Sequence, residues 1–367
     1  MGTTRSKRRV DQNRMIHLIA LTVASLLLCV ACGSGAAESG AQAEGAEAAS
    51  IGAGTTDATE TSEAAEGSAA VDYPVDRVQM IVPWAAGGGT DTMARLVAPF
   101  LGEELGVDIT VVNREGGNSA VGNTAIATGP TDGSMIGLVT AELAMLHWQG
   151  LTEISHENVV PVGTPASNWG GITVAADAPY ETVGELLEYV EEHPGELRGS
   201  GTGVGGIWHV GALGLLLEAG LPADAINWVP SEGGAPALQE LLAGGIDISF
   251  ASLPENSAQI SDGAVRPLAI MADERDEENF PDVPTVKEEG IDWVVSAPFM
   301  LVAPEGTPDD IVATLEQALS AVAEDPEFLD RVGLFSPVWW DSAETASRLA
   351  EIDTTMGALL KEAGVAE

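Results

Sequence analysis

The stretch that decides the fold is Ile81-Val82-Pro83-Trp84-Ala85-Ala86-Gly87-Gly88-Gly89-Thr90-Asp91. An apolar run leads into a glycine-rich loop, and the loop leads into a predicted helix. Free N–H groups and the positive end of the helix dipole favour an anion at such a helix start. The alternative is a tight turn in which Thr90 or Asp91 caps the helix. No Lys follows the glycines, which excludes a Walker-type phosphate loop.

A second glycine-rich loop, 199–206, also precedes a predicted helix. It contains the pattern GxGxxG at Gly201, Gly203 and Gly206. The residues before it, 193–198, make a poor buried strand, so the dinucleotide-binding interpretation is weak. Two loops that each open a helix indicate two anion-binding edges that face each other across a cleft. Lys and Arg are scarce outside the N-terminal segment, so backbone N–H groups and hydroxyls are the expected anion ligands.

Outward from these loops, short apolar runs alternate with amphipathic segments. The pattern predicts strands over 78–82, 109–112, 135–140, 226–229 and 246–250, and helices over 91–105, 181–192, 207–219 and 235–243. The chain from residue 308 onward is expected to be mainly helical. This alternation of strand and helix predicts an α/β architecture with mostly parallel sheets.

The N-terminal segment has the features of an export signal. Residues 1–31 combine a positively charged start with an apolar run that is too short for a comfortable membrane span. Val30-Ala31-Cys32-Gly33-Ser34 resembles a bacterial lipobox, which predicts cleavage before Cys32 and lipidation of its thiol. Residues 32–72 are then the lipidated cysteine and a flexible acidic tether. The alternative is an N-terminal membrane anchor that is not cleaved.

The composition excludes several classes of protein. The chain has 367 residues, with 15 Lys and Arg against 56 Asp and Glu, and a formal net charge of −41. Such a chain repels phosphate backbones, so no nucleic-acid partner is expected. The acidity suits a high-salt habitat, or it is simply an acidic exterior. Both cysteines, Cys29 and Cys32, lie in the N-terminal segment, so the folded body has no disulfide and no thiol nucleophile.

The search for catalytic motifs is mostly negative. The five histidines show no metal-binding spacing, and neither HExxH nor GxSxG occurs. His209 is interpreted as a residue on a helix face near a loop, with a catalytic base as the alternative. Trp84 fits either core packing or the lining of a cleft. The sequence therefore predicts no catalytic residue, no metal and no cofactor.

Several short motifs, in order along more than 200 residues, resemble the Bug/TctC family of extracytoplasmic solute receptors. They include Tyr73-Pro74, Ile81-Val82-Pro83-Trp84, Val112-Asn113-Arg114, Ser200 to Gly205 with His209, Arg266-Pro267-Leu268-Ala269, and Gly306-Thr307-Pro308. The resemblance implies a two-domain α/β fold of the periplasmic-binding-protein (Venus flytrap) type, with a ligand cleft between the domains. Domain 1 is expected over 73–175 and 296–367 and domain 2 over 176–295, with crossings near Ala175 and Ser296.

The resemblance also implies a ligand that lies between the domains and is bound by both helix-opening loops. The residues expected to bind it are Trp84, Gly88, Gly89, Thr90, Asp91, Glu142, Ser200, Gly201, Thr202, Gly203, Gly205 and Ser231. The expected ligand is a small di- or tricarboxylate. The expected partners are one large and one small integral membrane subunit, and the receptor itself is expected to be monomeric and held at the outer face of the cell membrane. An exported enzyme acting on an anionic substrate and a carboxylate sensor are the alternatives.

Overall fold

A computed structural model of the chain describes residues 73–366. The predicted signal segment, Cys32 and the tether lie outside these residues. Eleven strands are described: β1 (Arg77–Val82), β2 (Asp108–Asn113), β3 (Met135–Val139), β4 (Val159–Ser167), β5 (Gly170–Ala175), β6 (Arg198–Ser200), β7 (Asn227–Trp228), β8 (Ile248–Ser249), β9 (Val265–Met271), β10 (Phe299–Pro304) and β11 (Ser336–Trp340). No helix within 73–366 is both long and apolar enough to cross a membrane.

Nine α-helices connect or flank the strands. They are α1 (Gly89–Leu105), α2 (Ala120–Ala127), α3 (Val183–Glu192), α4 (Ile207–Glu218), α5 (Gly234–Leu242), α6 (Leu253–Ser261), α7 (Asp309–Glu324), α8 (Pro326–Val332) and α9 (Ser342–Glu362). Short 3-10 turns cover 141–144, 146–149 and 156–158. The helices predicted from the sequence are present with ends that shift by no more than a few residues, because the apolar stripes that predict them are long.

The strands form two sheets, each the centre of one lobe. The first lobe has a six-stranded sheet in the order β11-β4-β10-β3-β1-β2, and the second lobe has a five-stranded sheet in the order β7-β6-β8-β5-β9. Met80 of β1 stands opposite Val111 of β2 and Ile136 of β3 in parallel register. The largest apolar cluster of each lobe packs against its sheet, and the cluster of the second lobe also includes Leu360 of α9.

Both sheets are mixed, so the prediction of mostly parallel sheets is wrong. Strand β10 pairs antiparallel with β3 and β4, and β5 pairs antiparallel with β8 and β9. The reason lies in the connections. The chain enters β10 on its return from the second lobe, so it runs against the strands already in the first sheet. An apolar run in the sequence predicts a strand but carries no information on its direction.

The two lobes are joined by two chain segments that lie side by side. Trp169 and Ser296 form an antiparallel bridge. The Ala297 N–H donates to the Asn168 carbonyl oxygen at 2.7 Å, and the Gly170 N–H donates to that of Val295 at 3.0 Å. We call this pair of segments, residues 168–170 and 295–297, the hinge ribbon. The chain therefore first crosses from the first lobe to the second at 168–169 and not near residue 175, because β5 pairs within the second sheet. Nothing in the apolar sequence of β5 indicates which sheet it joins.

Candidate functional site

A cavity lies between the two lobes. The first lobe contributes Trp84, Ala85, Gly88, Gly89, Thr90, Thr140, Glu142 and Phe299. The hinge ribbon contributes Asn168 and Ala297, and the second lobe contributes Thr202, Ile207, Trp208, Glu232, Gly233, Gly234, Pro236 and Glu255. The cavity is therefore built from both glycine-rich loops, as a cleft between two lobes requires.

Three helix N-termini open onto this cavity. The first residues of α1, α4 and α5 are Gly89, Ile207 and Gly234, and all three line it. Each helix is preceded by a glycine, and no side chain of the capping residue accepts a hydrogen bond from its first turn. The first N–H groups of these helices therefore need partners from elsewhere, and the helix dipoles favour negative charge there.

The partner at the start of α1 is a carboxylate of the second lobe. The Gly89 N–H donates to Glu255 Oε1 at 3.0 Å. The other oxygen, Oε2, accepts from the Ser252 N–H at 3.2 Å and from the Ser252 hydroxyl at 2.9 Å. A Cβ at Gly89 would lie 3.2 Å from Glu255 Cδ, and one at Gly234 would overlap Glu255 Oε1. The glycines thus admit the side chain of Glu255.

The partner at the start of α4 is a carboxylate of the first lobe. The Ile207 N–H donates to Glu142 Oε1 at 2.7 Å, and the Thr140 hydroxyl donates to Oε2 at 2.5 Å. Trp84 Nε1 in turn donates to the Thr140 oxygen at 3.0 Å. Burial raises the pKa of Glu142 above its usual value, although these hydrogen bonds act in the opposite direction. Burial likewise raises the pKa of Glu255 against the hydrogen bonds from Gly89 and Ser252.

The described residues that line the cavity include three glutamates, Glu142, Glu232 and Glu255, and no Lys, Arg or His. The nearest sequence candidates for a cationic ligand, Arg95 and Arg198, are engaged elsewhere. Arg95 pairs with Asp91 at 2.9 Å, and Arg198 pairs with Asp247 at 3.0 Å.

Two buried polar atoms at the cavity have no hydrogen-bond partner, Asn168 Oδ1 and Thr202 Oγ1. Asn168 Nδ2 donates to the Ser252 oxygen at 2.7 Å. The Ser252 hydroxyl proton is directed to Glu255, so Ser252 can only accept from Asn168. This fixes the orientation of the amide and leaves Asn168 Oδ1 as an acceptor. Buried polar groups are normally paired, so both atoms are candidates to contact a solute.

Six of the residues predicted to bind the ligand line this cavity: Trp84, Gly88, Gly89, Thr90, Glu142 and Thr202. Asp91 instead accepts from the Gly87 N–H at 2.9 Å and pairs with Arg95. Burial alone would raise its pKa, but the hydrogen bonds from Arg95, Gly87 and Asn113 lower the pKa below its usual value. Asp91 therefore stays ionised and orders the first loop.

The other predicted residues lie beside the cavity. Gly203 and Ser231 line a neighbouring depression that shares Glu232 with the cavity. Ser200 is buried, and a Cβ at Gly201 would lie 2.7 Å from Trp208 Cβ, so Gly201 makes room for an aromatic wall of the cavity. The Gly205 N–H donates to His209 Nδ1 at 2.8 Å, and burial lowers the pKa of His209 to about 4. The neutral imidazole therefore holds the second loop in place.

Several lining residues were not predicted, among them Asn168, Trp208, Glu232, Gly234 and Glu255. Two signals were available. Gly233-Gly234 stands immediately before a predicted helix, as the glycines of the other two loops do. Ser252-Leu253-Pro254-Glu255 has the spacing of a capping box, and its glutamate is the residue that reaches α1. Within residues 73–366 no group of three His, Cys, Asp or Glu is placed to hold a metal ion.

Comparison with known proteins gives a consistent result. The model of the TctC family, described as the tripartite tricarboxylate transporter family receptor, matches residues 93–365. The protein BugT of Bordetella pertussis is 30% identical over 253 residues, which are 68% of this chain and 76% of BugT.

Solved structures of similar proteins share the fold. The periplasmic binding protein BugD superposes with a TM-score of 0.74 at 27% identity, covering 80% of this chain and 99% of BugD. MatC from Rhodopseudomonas palustris, solved with bound malate, superposes with a TM-score of 0.72 at 26% identity, covering 78% of this chain and 100% of MatC. The two-lobed architecture is that of periplasmic binding proteins.

Proposed function

This chain belongs to the TctC family of tripartite tricarboxylate transporter receptors, and on that premise we propose that it binds a small organic carboxylate outside the cytoplasm and delivers it to a transporter in the membrane. The observation that carries the proposal is the convergence of three helix N-termini on one cavity between two lobes. Helix starts attract carboxylates through their free N–H groups and their dipoles.

The cavity supports a binding role without a chemical step. Its walls combine hydroxyl and amide groups with the aromatic side chains of Trp84, Trp208 and Phe299. Such a mixture orients a small molecule and excludes water. The malate bound to MatC is a carboxylate of the expected size, which supports the same class of ligand here.

The hinge ribbon supports a receptor that closes on its solute. Contacts between the lobes are made around the cavity, as between the Ala85 N–H and the Glu232 carbonyl oxygen at 3.3 Å. A solute that contacts both lobes stabilises the closed arrangement, because it interacts better with that arrangement than with an open one. The closed form then presents a surface made of both lobes to the large and small membrane subunits, with the receptor acting as a monomer.

We also propose that the chain is a lipoprotein anchored through Cys32 at the outer face of the cell membrane, with residues 1–31 removed as a signal peptide. The apolar run that ends at Val30-Ala31-Cys32 supports this anchor. The mature protein from membranes should carry a lipidated Cys32 at its N-terminus when analysed by mass spectrometry, and Cys32→Ala should abolish both cleavage and lipid attachment. An N-terminus elsewhere would contradict the anchor.

The test of the ligand class is a thermal unfolding screen of the full-length chain with mono-, di- and tricarboxylates and with amino-substituted carboxylates. A compound that binds only the folded state raises Tm by mass action. At 100 times its Kd, it adds about 2.7 kcal/mol to the free energy of unfolding. At least one carboxylate should raise Tm in a concentration-dependent way. Complete indifference to all of them would overturn the proposed function. Loss of uptake of that carboxylate after deletion of the receptor would support the delivery step.

A further inference from the structure

Each of the three helix N-termini at the cavity has a glutamate beside it. The first N–H of α1 donates to Glu255, and the first N–H of α4 donates to Glu142. At the start of α5, a Cβ on Gly234 would overlap Glu255 Oε1. Glu232 stands two positions before Gly234 and lines the same cavity. A solute carboxylate bound at any of these helix starts therefore lies close to a carboxyl group of the chain.

The start of α5 is the position that remains for such a solute. The first N–H groups of α1 and α4 already donate to glutamates, whereas no carboxylate of the described residues accepts a hydrogen bond from the Gly234 N–H. A solute carboxylate that accepts from Gly234 lies against Glu255 Oε1. This oxygen accepts from the Gly89 N–H and keeps a lone pair for one further hydrogen bond.

The lining of the cavity does not offset the negative charge that the solute adds. It holds Glu142, Glu232 and Glu255, and none of its described residues is Lys, Arg or His. Two carboxylates in contact, without a cation beside them, cannot both stay ionised, so the pair retains one proton. Burial raises the pKa of Glu255 even before a second carboxylate approaches. A solute carboxylate against Oε1 raises this pKa further.

The other charged groups on the helices that pack against Glu255 do not neutralise the pair either. On α1, Asp91 pairs with Arg95 at 2.9 Å, and neither residue lines the cavity. On α4, burial lowers the pKa of His209 to about 4, so this imidazole is neutral near pH 7. The proton of the carboxyl pair must therefore come from the medium.

We propose that the solute binds through a carboxylate at the start of α5 that shares one proton with Glu255, so that binding takes up a proton. The proton forms an O–H bond on Glu255 Oε1 or on the facing oxygen of the solute and makes a hydrogen bond to the other oxygen. No other covalent bond forms or breaks. This inference rests on the proposed function, because it requires a carboxylate solute in this cavity.

The first experiment is calorimetric titration of the full-length chain at pH values from about 6.5 to 9, where the carboxyl groups of the free solute are ionised. The probe is the carboxylate that raises Tm most in the thermal unfolding screen, and malate is the first compound titrated. Two buffers with different ionisation enthalpies give the number of protons taken up. In part of this range the complex should take up about half a proton or more, and Kd should rise about threefold or more per pH unit.

The second experiment removes the proposed proton acceptor. Glu255→Gln keeps the side-chain shape and is neutral at every pH, so binding of the same probe should take up no proton and its Kd should not depend on pH. Glu232→Gln removes a charge near the same helix start but leaves Glu255 in place, so proton uptake should persist. Glu103→Gln, on the exposed face of α1, is the control and should keep the affinity and the proton uptake of the wild type.

The possible failures differ in meaning. If a carboxylate binds without proton uptake over the whole range, or if uptake persists in Glu255→Gln, the inference is overturned and the proposed function stands. If no carboxylate binds at any pH, both fail. Thermal unfolding verifies that the variants fold, and the proton count of the wild-type chain decides the matter even if Glu255→Gln does not.

Discussion

The carboxylate of Glu142 accepts a hydrogen bond at 2.7 Å from the backbone N–H of Ile207, although the two residues belong to different lobes. The bond joins a 3-10 turn behind β3 to the first residue of α4. It is paired with a second bond of the same kind in the reverse direction, from Gly89 to Glu255. Each lobe thus supplies the carboxyl oxygen that accepts a hydrogen bond from the helix start of the other lobe.

The first prediction concerns the buried charge of Glu142. Because burial raises its pKa above the usual 4.5, the folded chain keeps this proton to higher pH than the unfolded chain does. The wild-type free energy of unfolding therefore falls as pH rises from about 4.5 through the raised pKa. Glu142→Gln is neutral throughout, so its stability relative to the wild type should increase over this interval. Urea unfolding at several pH values from 4 to 8 measures the difference, and a pH-independent difference would contradict the assignment.

The second prediction concerns His209. Its pKa falls from 6.5 to about 4 on folding because the ring is buried, so the unfolded chain binds more protons between these values. The free energy of unfolding should therefore decrease as pH falls from 6.5 to 4, by about 3 kcal/mol for this group. His209→Asn keeps an acceptor for the Gly205 N–H and should lack this loss. His193→Asn at the exposed surface is the control, and identical pH profiles of His209→Asn and wild type would refute the prediction.

The third prediction compares two glycines in first helical turns. A Cβ at Gly234 would overlap Glu255 Oε1, whereas at Gly184 the nearest atom would be 3.7 Å away. Gly234→Ala should displace the Glu255 carboxylate and destabilise the chain by about 1–3 kcal/mol. Gly184→Ala should instead stabilise it by about 0.4–1 kcal/mol through reduced entropy of the unfolded chain. Thermal unfolding of both variants tests the contrast, and equal effects would show that Glu255 is not held against α5.

The fourth prediction concerns the arginines nearest the glycine-rich loops. Arg95 and Arg198 are bound to Asp91 and Asp247, and neither lines the cavity. Arg95→Gln and Arg198→Gln should therefore change the affinity for the solute by less than about threefold, because an exposed ion pair contributes little. Loss of binding in either arginine variant would show that a side-chain cation holds the solute.

The sequence predicts the local parts of this molecule well. The strand, loop and helix around 78–105 follow from an apolar run, three glycines and one apolar stripe, which are all local signals. The two-lobed architecture could be predicted only because many weak motifs occur in the order typical of one family. Strand direction and the place of the first lobe crossing could not, because both depend on which sheet a strand joins.

Only part of the candidate site can be predicted from the sequence, for the same reason. Each glycine-rich loop indicates a helix start, and the sequence associates such a start with an anion. The identity of the anion depends on residues far along the chain. Glu255 is 166 positions from Gly89, and Ile207 is 65 positions from Glu142. A capping-box glutamate is ordinarily explained by its own helix, so its approach to another lobe becomes visible only in three dimensions.

The hinge ribbon has one further consequence. Two hydrogen-bonded segments side by side resist stretching and sliding, while they still bend, so the lobes are restricted to rotation about a nearly fixed axis. Asn168 belongs to this ribbon and also lines the cavity. A molecule that contacts Asn168 therefore acts on the segments that connect the lobes, where a small rotation moves the far edges of the lobes over a larger distance. The membrane subunits that we propose as partners would then sense occupancy at the edges of the lobes without touching the solute.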